Sequence, residues 1–207
     1  MKAQFWVDPA CPFCWLTARW MVEQVQPNRD VEVVWRPISL LLKNRPPVDS
    51  PFYEPTRFTY GLLRVMESIR ATDGEDAVFR AYWAFGTRIH HDRELPFDVA
   101  EVLRELDIDE THAKALDDEA WDEAVRAGHD AGLDLVGNDV GTPIIAIETS
   151  TGRTAGYFGP VINALPPVEQ GAAMWDALVT MMEVESFFEL KRTRSGGLDL
   201  GERPDPR

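Results

Sequence analysis

The only two cysteines of the chain, Cys11 and Cys14, lie three positions apart, where a strand-like pattern changes into a helical one. The apolar run over residues 3–8 ends in an Asp-Pro pair and is typical of a buried strand. Pro12 suits the first position of a helix, because its missing N–H would have no partner there. The sequence therefore predicts that Cys11 caps a helix that begins directly after a strand.

The rest of the chain predicts a β-α-β unit, then a helical block, then a β-β-α unit. This alternation indicates an α/β fold, and a thioredoxin-like domain split by an all-helical insertion fits the order of the elements. The predicted strands are residues 3–8, 31–37, 144–147 and 155–158, and the predicted helices are 12–26, several within 52–136, and 168–184.

We expect four segments along the chain. The thioredoxin-like domain takes residues 1–40 and 139–195, and the helical insertion takes residues 41–138. The last segment, residues 196–207, is rich in Gly, Pro and charge and is predicted to be disordered.

Composition and charge exclude several classes of function. The chain has 207 residues, 44% of them hydrophobic, and a formal net charge of −14. Such a surface repels nucleic acid and anionic membranes, so neither is an expected partner. The apolar run at the N-terminus is too short for a signal peptide, and no run of about 18 apolar residues predicts a membrane span. We expect a cytoplasmic protein, where a close cysteine pair indicates catalysis or metal binding rather than a structural disulfide.

The predicted cap position gives each cysteine a role. Free backbone N–H groups and the helix dipole favour a thiolate on Cys11, so its pKa is expected to fall below the usual value of about 8.5. Cys11 is then the nucleophile, and Cys14, one turn further along, is the resolving thiol. Phe13 lies between them and has no donor or charge, so the lowering of the pKa is expected to be moderate.

Two other interpretations of the cysteine pair stay open. The pair can be inert on a buried helix. It can also supply half of a zinc site, which needs four ligands, but no second C-x-x-C exists and the four histidines fit no standard spacing. Those histidines are His90, His91, His112 and His129. We expect no metal and no tightly bound cofactor.

Thr142 and Pro143 open the strand that follows the helical block. In thioredoxin-like proteins a cis-proline occupies this position and faces the cysteine pair. We therefore expect a cis bond between Thr142 and Pro143, with the Thr142 backbone available to a thiol substrate on Cys11. An ordinary trans proline at the start of a strand is the alternative.

Several stretches in a fixed order resemble one known family. They are FWVDPACPFCW, ARW, GTRIHH, AGLDLVGNDVGTP, VGTPIIAI, YFGPV and FFELKRTR. Together they resemble the DsbA-like proteins of actinobacteria called mycothiol-dependent nitroreductases. The resemblance implies a cytosolic, DsbA-like oxidoreductase that takes electrons from mycothiol, a low-molecular-weight thiol, with the helical insertion over its active site. Close members have Trp where this chain has Phe13, which leaves thiol chemistry intact and the reduction of nitro compounds open.

Five further residues are candidates for binding a substrate, each with an ordinary structural alternative. Asp8 can assist proton transfer at Cys14 or simply begin a turn. Trp15 can pack beside the active site and report its redox state. Asn44 and Tyr53 can contact a sugar-like head group or belong to a plain loop. His90 can line the cleft or merely favour a helix end.

Three functions remain possible on this reasoning. The first is a thiol–disulfide oxidoreductase that uses mycothiol and acts on a small-molecule or protein disulfide. The second is an activity of the glutathione-transferase-kappa or chromene-carboxylate-isomerase type, which needs no second cysteine, so Cys14 counts against it. The third is a binding protein without turnover, and the presence of Cys11 and Pro143 counts against that. The oligomeric state is left open, a homodimer included.

Overall fold

A computed structural model describes all 207 residues and contains one four-stranded sheet. The strands are β1 (Lys2–Val7), β2 (Glu32–Pro37), β3 (Ile144–Glu148) and β4 (Thr154–Phe158). Their order is β2-β1-β3-β4, with β1 and β2 parallel and both other pairs antiparallel. The predicted β-α-β and β-β-α units therefore form one sheet, in which β1 and β3 are neighbours although the helical block separates them in sequence.

Seven α-helices surround the sheet, and two π-helical and two 3₁₀ segments join them. The α-helices are α1 (Pro12–Trp20), α2 (Leu40–Asn44), α3 (Tyr53–Thr72), α4 (Gly74–Thr87), α5 (Val99–Glu105), α6 (Asp122–Val136) and α7 (Val168–Glu183). The π-helical segments are Met21–Val25 and Arg88–Asp92, and the 3₁₀ segments are Glu110–Asp117 and Glu119–Trp121. None of the helices combines the length and apolar character needed to cross a bilayer.

The two faces of the sheet carry different residues, because side chains alternate along a strand. Phe5 points into the main core of the protein, whereas Trp6 lies in a smaller cluster on the other face. Helix α6 covers that second face. Gly132 lets α6 approach the sheet closely, since a Cβ at this position would lie 2.7 Å from the Trp6 ring. The Trp6 Nε1–H also donates to the Gly128 carbonyl of α6 at 2.8 Å.

The helical block shares one hydrophobic core with the sheet. The ring of Trp35, on β2, stacks on those of Phe79 and Tyr82 in α4, with centroids 5.5 and 5.3 Å apart. Trp15, on α1, packs against Trp83 of α4 at 4.9 Å. These aromatic contacts join α4 to both β2 and α1, so α4 is held over the start of α1.

The C-terminal segment 184–207 has no regular secondary structure but follows the surface of the domain. The buried guanidinium of Arg19 donates to the carbonyls of Leu200 and Glu202, and Trp83 Nε1–H donates to the Asp205 carbonyl at 2.9 Å. Arg203 pairs with Asp92 at 2.7 Å. Residues 196–207, for which the sequence predicts disorder, thus lie along α1 and the end of α4 in this structure. Their disorder in solution stays a prediction.

Candidate active site

Cys11 is the N-cap of α1. Its backbone is extended (φ −86°, ψ 111°), and its Sγ accepts a hydrogen bond from the Cys14 N–H at 3.4 Å. Pro12 occupies the start of the helix, where the lack of an N–H has no cost. The side chain is 8% exposed, so the sulfur lies just below the surface.

Cys14 lies one helical turn further along and is fully buried. Both cysteines are free thiols. The Cys14 thiol donates to the Trp6 carbonyl of β1 at 3.7 Å, and the Thr142 hydroxyl donates to the same carbonyl at 3.4 Å. This shared acceptor places the Cys14 thiol and the Thr142 loop at one point of the sheet.

The Thr142–Pro143 peptide bond is cis, the form expected for it. The Cys11 thiol donates to the Thr142 carbonyl at 3.8 Å, so the loop before β3 faces the exposed side of the pair. Two segments 131 residues apart in sequence thus form the two sides of the site. The sheet brings these two segments together, because β1 pairs with β2 in parallel and with β3 in antiparallel orientation.

The pKa of Cys11 differs from the expectation. Burial disfavours its thiolate and raises the pKa to about 11, and the nearby Asp8 carboxylate adds to this. The backbone N–H groups of Cys14 and Phe13 and the charge of Arg194 lower the pKa, but by less than burial raises it. The predicted lowered pKa is therefore wrong for this conformation. Burial also raises the pKa of Cys14 above its usual value.

Asp8 is fully buried at the end of β1, beside the cysteine pair. Its carboxylate accepts from the backbone N–H of Ala10 at 2.8 Å and of Leu40 at 2.6 Å. Burial raises its pKa to about 6, although these hydrogen bonds act in the opposite direction. The residue therefore holds the loop before Cys11 as a turn residue does, and its carboxylate also acts electrostatically on both thiols.

Trp15 follows Cys14 in α1, is buried, and contacts both histidines of the π-helical segment after α4. Its ring stacks on His90 with centroids 6.0 Å apart, and its Nε1–H donates to His91 Nε2 at 3.1 Å. His90 Nε2 lies 2.8 Å from the Pro9 carbonyl, so that nitrogen carries the proton. Burial lowers the pKa of His90 to about 4, which keeps it neutral near pH 7. In this arrangement His90 supports the loop that carries Cys11.

Phe13 is half-buried between the cysteines, and the guanidinium of Arg194 lies 5.6 Å from the centre of its ring. This cation–π contact brings a positive charge from the C-terminal segment to the mouth of the site. Arg194 belongs to the stretch FFELKRTR, whose sequence shows no strand or helix pattern that would place it here.

Asn44 and Tyr53 take no part in these contacts. Asn44 is exposed at the end of α2, and Tyr53 is half-buried at the start of α3. Neither side chain hydrogen-bonds to Cys11, Cys14 or Thr142, and their predicted role in binding a head group stays a prediction. No group of three or more His, Cys, Asp or Glu side chains is arranged to hold a metal ion.

Two charges near Cys11 are expected to shift its pKa in opposite directions. Asp8 is ionised above about pH 6, so Asp8→Asn removes a negative charge and lowers the pKa of Cys11. Arg194→Gln removes a positive charge and raises that pKa. The measurement is the ultraviolet absorbance of the thiolate, titrated in chains that also carry Cys14→Ser so that one thiol responds. Arg192→Gln is the matched control, and shifts of the same sign in both variants would contradict the assignment.

Comparison with known proteins agrees with this geometry. A family model described as "Rv2466c-like: Mycothiol-dependent nitroreductase Rv2466c" matches residues 10–192. The structure is similar to that of a probable DsbA oxidoreductase from Streptomyces coelicolor, with 18% identity, a TM-score of 0.61, and 93% of this chain and 94% of that chain covered. It is also similar to the cytosolic disulfide reductase DsbM from Pseudomonas aeruginosa solved with GSH, with 16% identity, a TM-score of 0.56, and coverage of 87% and 100%. The predicted DsbA-like thioredoxin fold with a helical insertion is confirmed.

Proposed function

The chain belongs to the Rv2466c-like family of mycothiol-dependent nitroreductases, and from this premise we propose that it is a thiol–disulfide oxidoreductase whose Cys11–Cys14 pair is reduced by mycothiol. The observation that carries the proposal is the pair itself: Cys11 caps α1, Cys14 is buried one turn behind it, and the Thr142 carbonyl faces the Cys11 sulfur. A small thiol that reaches the site therefore meets Cys11 first.

The reaction runs in two halves. In the first half, Cys11 attacks a disulfide substrate, one half of which leaves as a thiol, and Cys14 then displaces the other half, so that Cys11 and Cys14 form a disulfide. In the second half, one mycothiol attacks Cys11 and frees Cys14. A second mycothiol attacks the mixed disulfide, which frees Cys11 and yields the disulfide of mycothiol. Two electrons and two protons thus pass from two mycothiols to one substrate disulfide.

The buried thiols favour reduction of a substrate over its oxidation. A pair of this type is a strong oxidant when its reduced form is stabilised, as happens for a thiolate of very low pKa. Burial raises the pKa of both thiols here, and Phe13 supplies neither a donor nor a charge. The reduced pair therefore gains little extra stabilisation, which supports a reductase.

Nitro compounds are a second candidate class of substrate, which the description of the family favours. Closing the dithiol to a disulfide supplies two electrons and two protons, enough to convert a nitro group into a nitroso group and water. Phe13 offers an apolar contact for the ring of an aromatic nitro compound, and the Arg194 guanidinium over Phe13 offers a positive charge for the nitro oxygens.

A cytoplasmic location and a low-molecular-weight thiol partner belong to the same proposal. The similar DsbM protein is titled a cytosolic disulfide reductase and was solved with GSH, a thiol of this size class. Mycothiol is a co-substrate here, not a bound cofactor.

The electron donor is expected to be mycothiol, and a direct comparison tests this. The oxidised protein is offered mycothiol, glutathione or a thioredoxin system at matched reducing equivalents, and the tryptophan fluorescence is followed in time. Trp15 follows Cys14 in α1 and is buried with it, so its emission should respond to opening of the disulfide. Mycothiol should give the fastest change.

A fluorescence change that is fastest with the thioredoxin system would contradict the assignment of the donor. The control is Cys11→Ser, which forms no disulfide and should show no change with any donor. If mycothiol instead adds to an electrophile at an undiminished rate in Cys14→Ser, the transferase function is correct.

A further inference from the structure

Tyr82, on α4, holds a buried hydroxyl group that has no hydrogen-bond partner. The residue is fully buried, and its ring is fixed between those of Trp35 and Trp15, with centroids 5.3 and 6.0 Å away. Buried hydroxyl groups in folded proteins nearly always have a partner, because leaving one without costs free energy. A phenylalanine would fill the same space without this cost, so the oxygen calls for an explanation.

The groups around the Tyr82 hydroxyl supply an explanation for its lack of a partner. The Tyr82 ring packs on Trp15, the residue that follows Cys14. After burial, Cys14 contributes most to the raised pKa of the Tyr82 hydroxyl, through its charge and as a side-chain hydrogen-bond partner. A thiolate on Cys14 would accept a hydrogen bond from the Tyr82 hydroxyl. In the present structure the Cys14 thiol donates to the Trp6 carbonyl and makes no hydrogen bond with the Tyr82 hydroxyl. A thiolate is a stronger acceptor than a neutral thiol, so negative charge on Cys14 favours that bond.

We propose that Tyr82 is a catalytic residue that donates a hydrogen bond to the Cys14 sulfur while that sulfur carries negative charge. This deepens the proposed function, since it rests on Cys14 as the resolving thiol. In the resolving step Cys14 forms a bond to Cys11, the bond between Cys11 and the substrate sulfur breaks, and the proton of Cys14 ends on the released thiol. In the reverse direction Cys14 is the leaving group, and the same hydrogen bond stabilises it.

The other groups near Cys14 are less suited to this role. Both oxygens of Asp8 already accept backbone N–H groups, and as a carboxylate it disfavours a thiolate nearby. The Thr142 hydroxyl donates to the Trp6 carbonyl. Tyr82 keeps its own proton, because burial and the cysteines raise its pKa well above the usual value. It is therefore a neutral donor without any other partner.

Tyr82→Phe tests the proposal, because it removes one oxygen and keeps the ring. Reduced protein reacts with Ellman's reagent in two phases: attack by Cys11 releases one coloured thiolate, and the resolving attack by Cys14 releases the second. The first phase should keep its rate. The second should slow by about 10- to 100-fold, the usual value of a hydrogen bond to a charged group. The thermal midpoint of the variant should stay unchanged or rise, since the lost hydroxyl had no partner.

Tyr60→Phe is the matched control. Tyr60 is also buried, but its hydroxyl donates to Asp122 at 2.8 Å, away from the cysteines. Its loss should lower the thermal midpoint and leave both phases unchanged. The proposal is overturned if Tyr82→Phe leaves the second phase unchanged, slows both phases equally, or destabilises the protein as Tyr60→Phe does. The assay uses no mycothiol, so a wrong electron donor would not affect its outcome.

Discussion

Cys14→Ser is expected to leave a small thiol attached to Cys11 through a disulfide bond when no free mycothiol is present. Serine keeps the size of the buried side chain and can still donate to the Trp6 carbonyl, so the fold should persist. It cannot attack a disulfide, so the mixed disulfide on Cys11 has no internal route to resolution. Without free mycothiol, release of the bound thiol from Cys11 should therefore slow by at least about 100-fold.

Mass spectrometry of the intact protein checks this expectation. After reaction with one equivalent of a mycothiol disulfide, Cys14→Ser should gain the mass of one mycothiol less two hydrogens, whereas the wild type should lose two hydrogens and carry no adduct. Cys11→Ser is the control, and it should remain unmodified, because Cys14 is fully buried with its thiol against β1. An adduct on Cys14 in that variant would reverse the two roles.

Local sequence was sufficient to predict the cysteine side of the site. Pro12 after Cys11 defines a helix start, and the apolar run before it defines a strand, so the cap position of Cys11 follows from neighbouring residues alone. The position of Pro143 opposite this pair was expected because thioredoxin-like proteins share the strand order that brings β1 and β3 together. Both features depend on the backbone, which short patterns encode well.

The pKa of Cys11 could not be predicted in the same way. The N–H groups that lower it belong to neighbouring residues and are visible in the sequence, whereas the burial that raises it comes from elements distant in the chain. Helix α4, the Thr142 loop and the C-terminal segment all lie near the cysteine pair. A helix N-terminus favours a thiolate only to the extent that burial does not oppose it.

Tyr82, His91 and Arg194 were missed for a related reason. Each lies far from Cys11 in sequence and reaches the site only through tertiary packing. Tyr82 in particular sits among apolar residues of an amphipathic helix, where an aromatic residue is normally part of the core. Its significance comes from the absence of a partner for its hydroxyl, which no sequence pattern records.

Gly86→Ala is expected to destabilise the protein strongly, against the usual effect of this substitution in a helix. Gly86 lies in α4 with the ring of Trp15 directly against it, and an added Cβ would be 2.3 Å from that ring. Alanine normally stabilises a helix interior by up to about 1 kcal/mol relative to glycine. Here Trp15 has no free space, since Tyr82, Trp83 and His90 surround it, so the added methyl group overpacks the core.

The expected net loss is about 2–3 kcal/mol of unfolding free energy, which for a chain of this length lowers the thermal midpoint by roughly 5 °C or more. Gly197→Ala is the matched control, because a Cβ there meets nothing within 4 Å, and its midpoint should stay unchanged. A double-mutant cycle with Trp15→Phe separates the clash from other causes: the smaller ring should make the combined loss less than the sum of the two single losses. Additive losses would show that Gly86 matters for some reason other than the approach of Trp15. Because Trp15 follows Cys14 in α1, Gly86→Ala should also change the fluorescence difference between the oxidised and reduced protein, whereas Gly197→Ala should not.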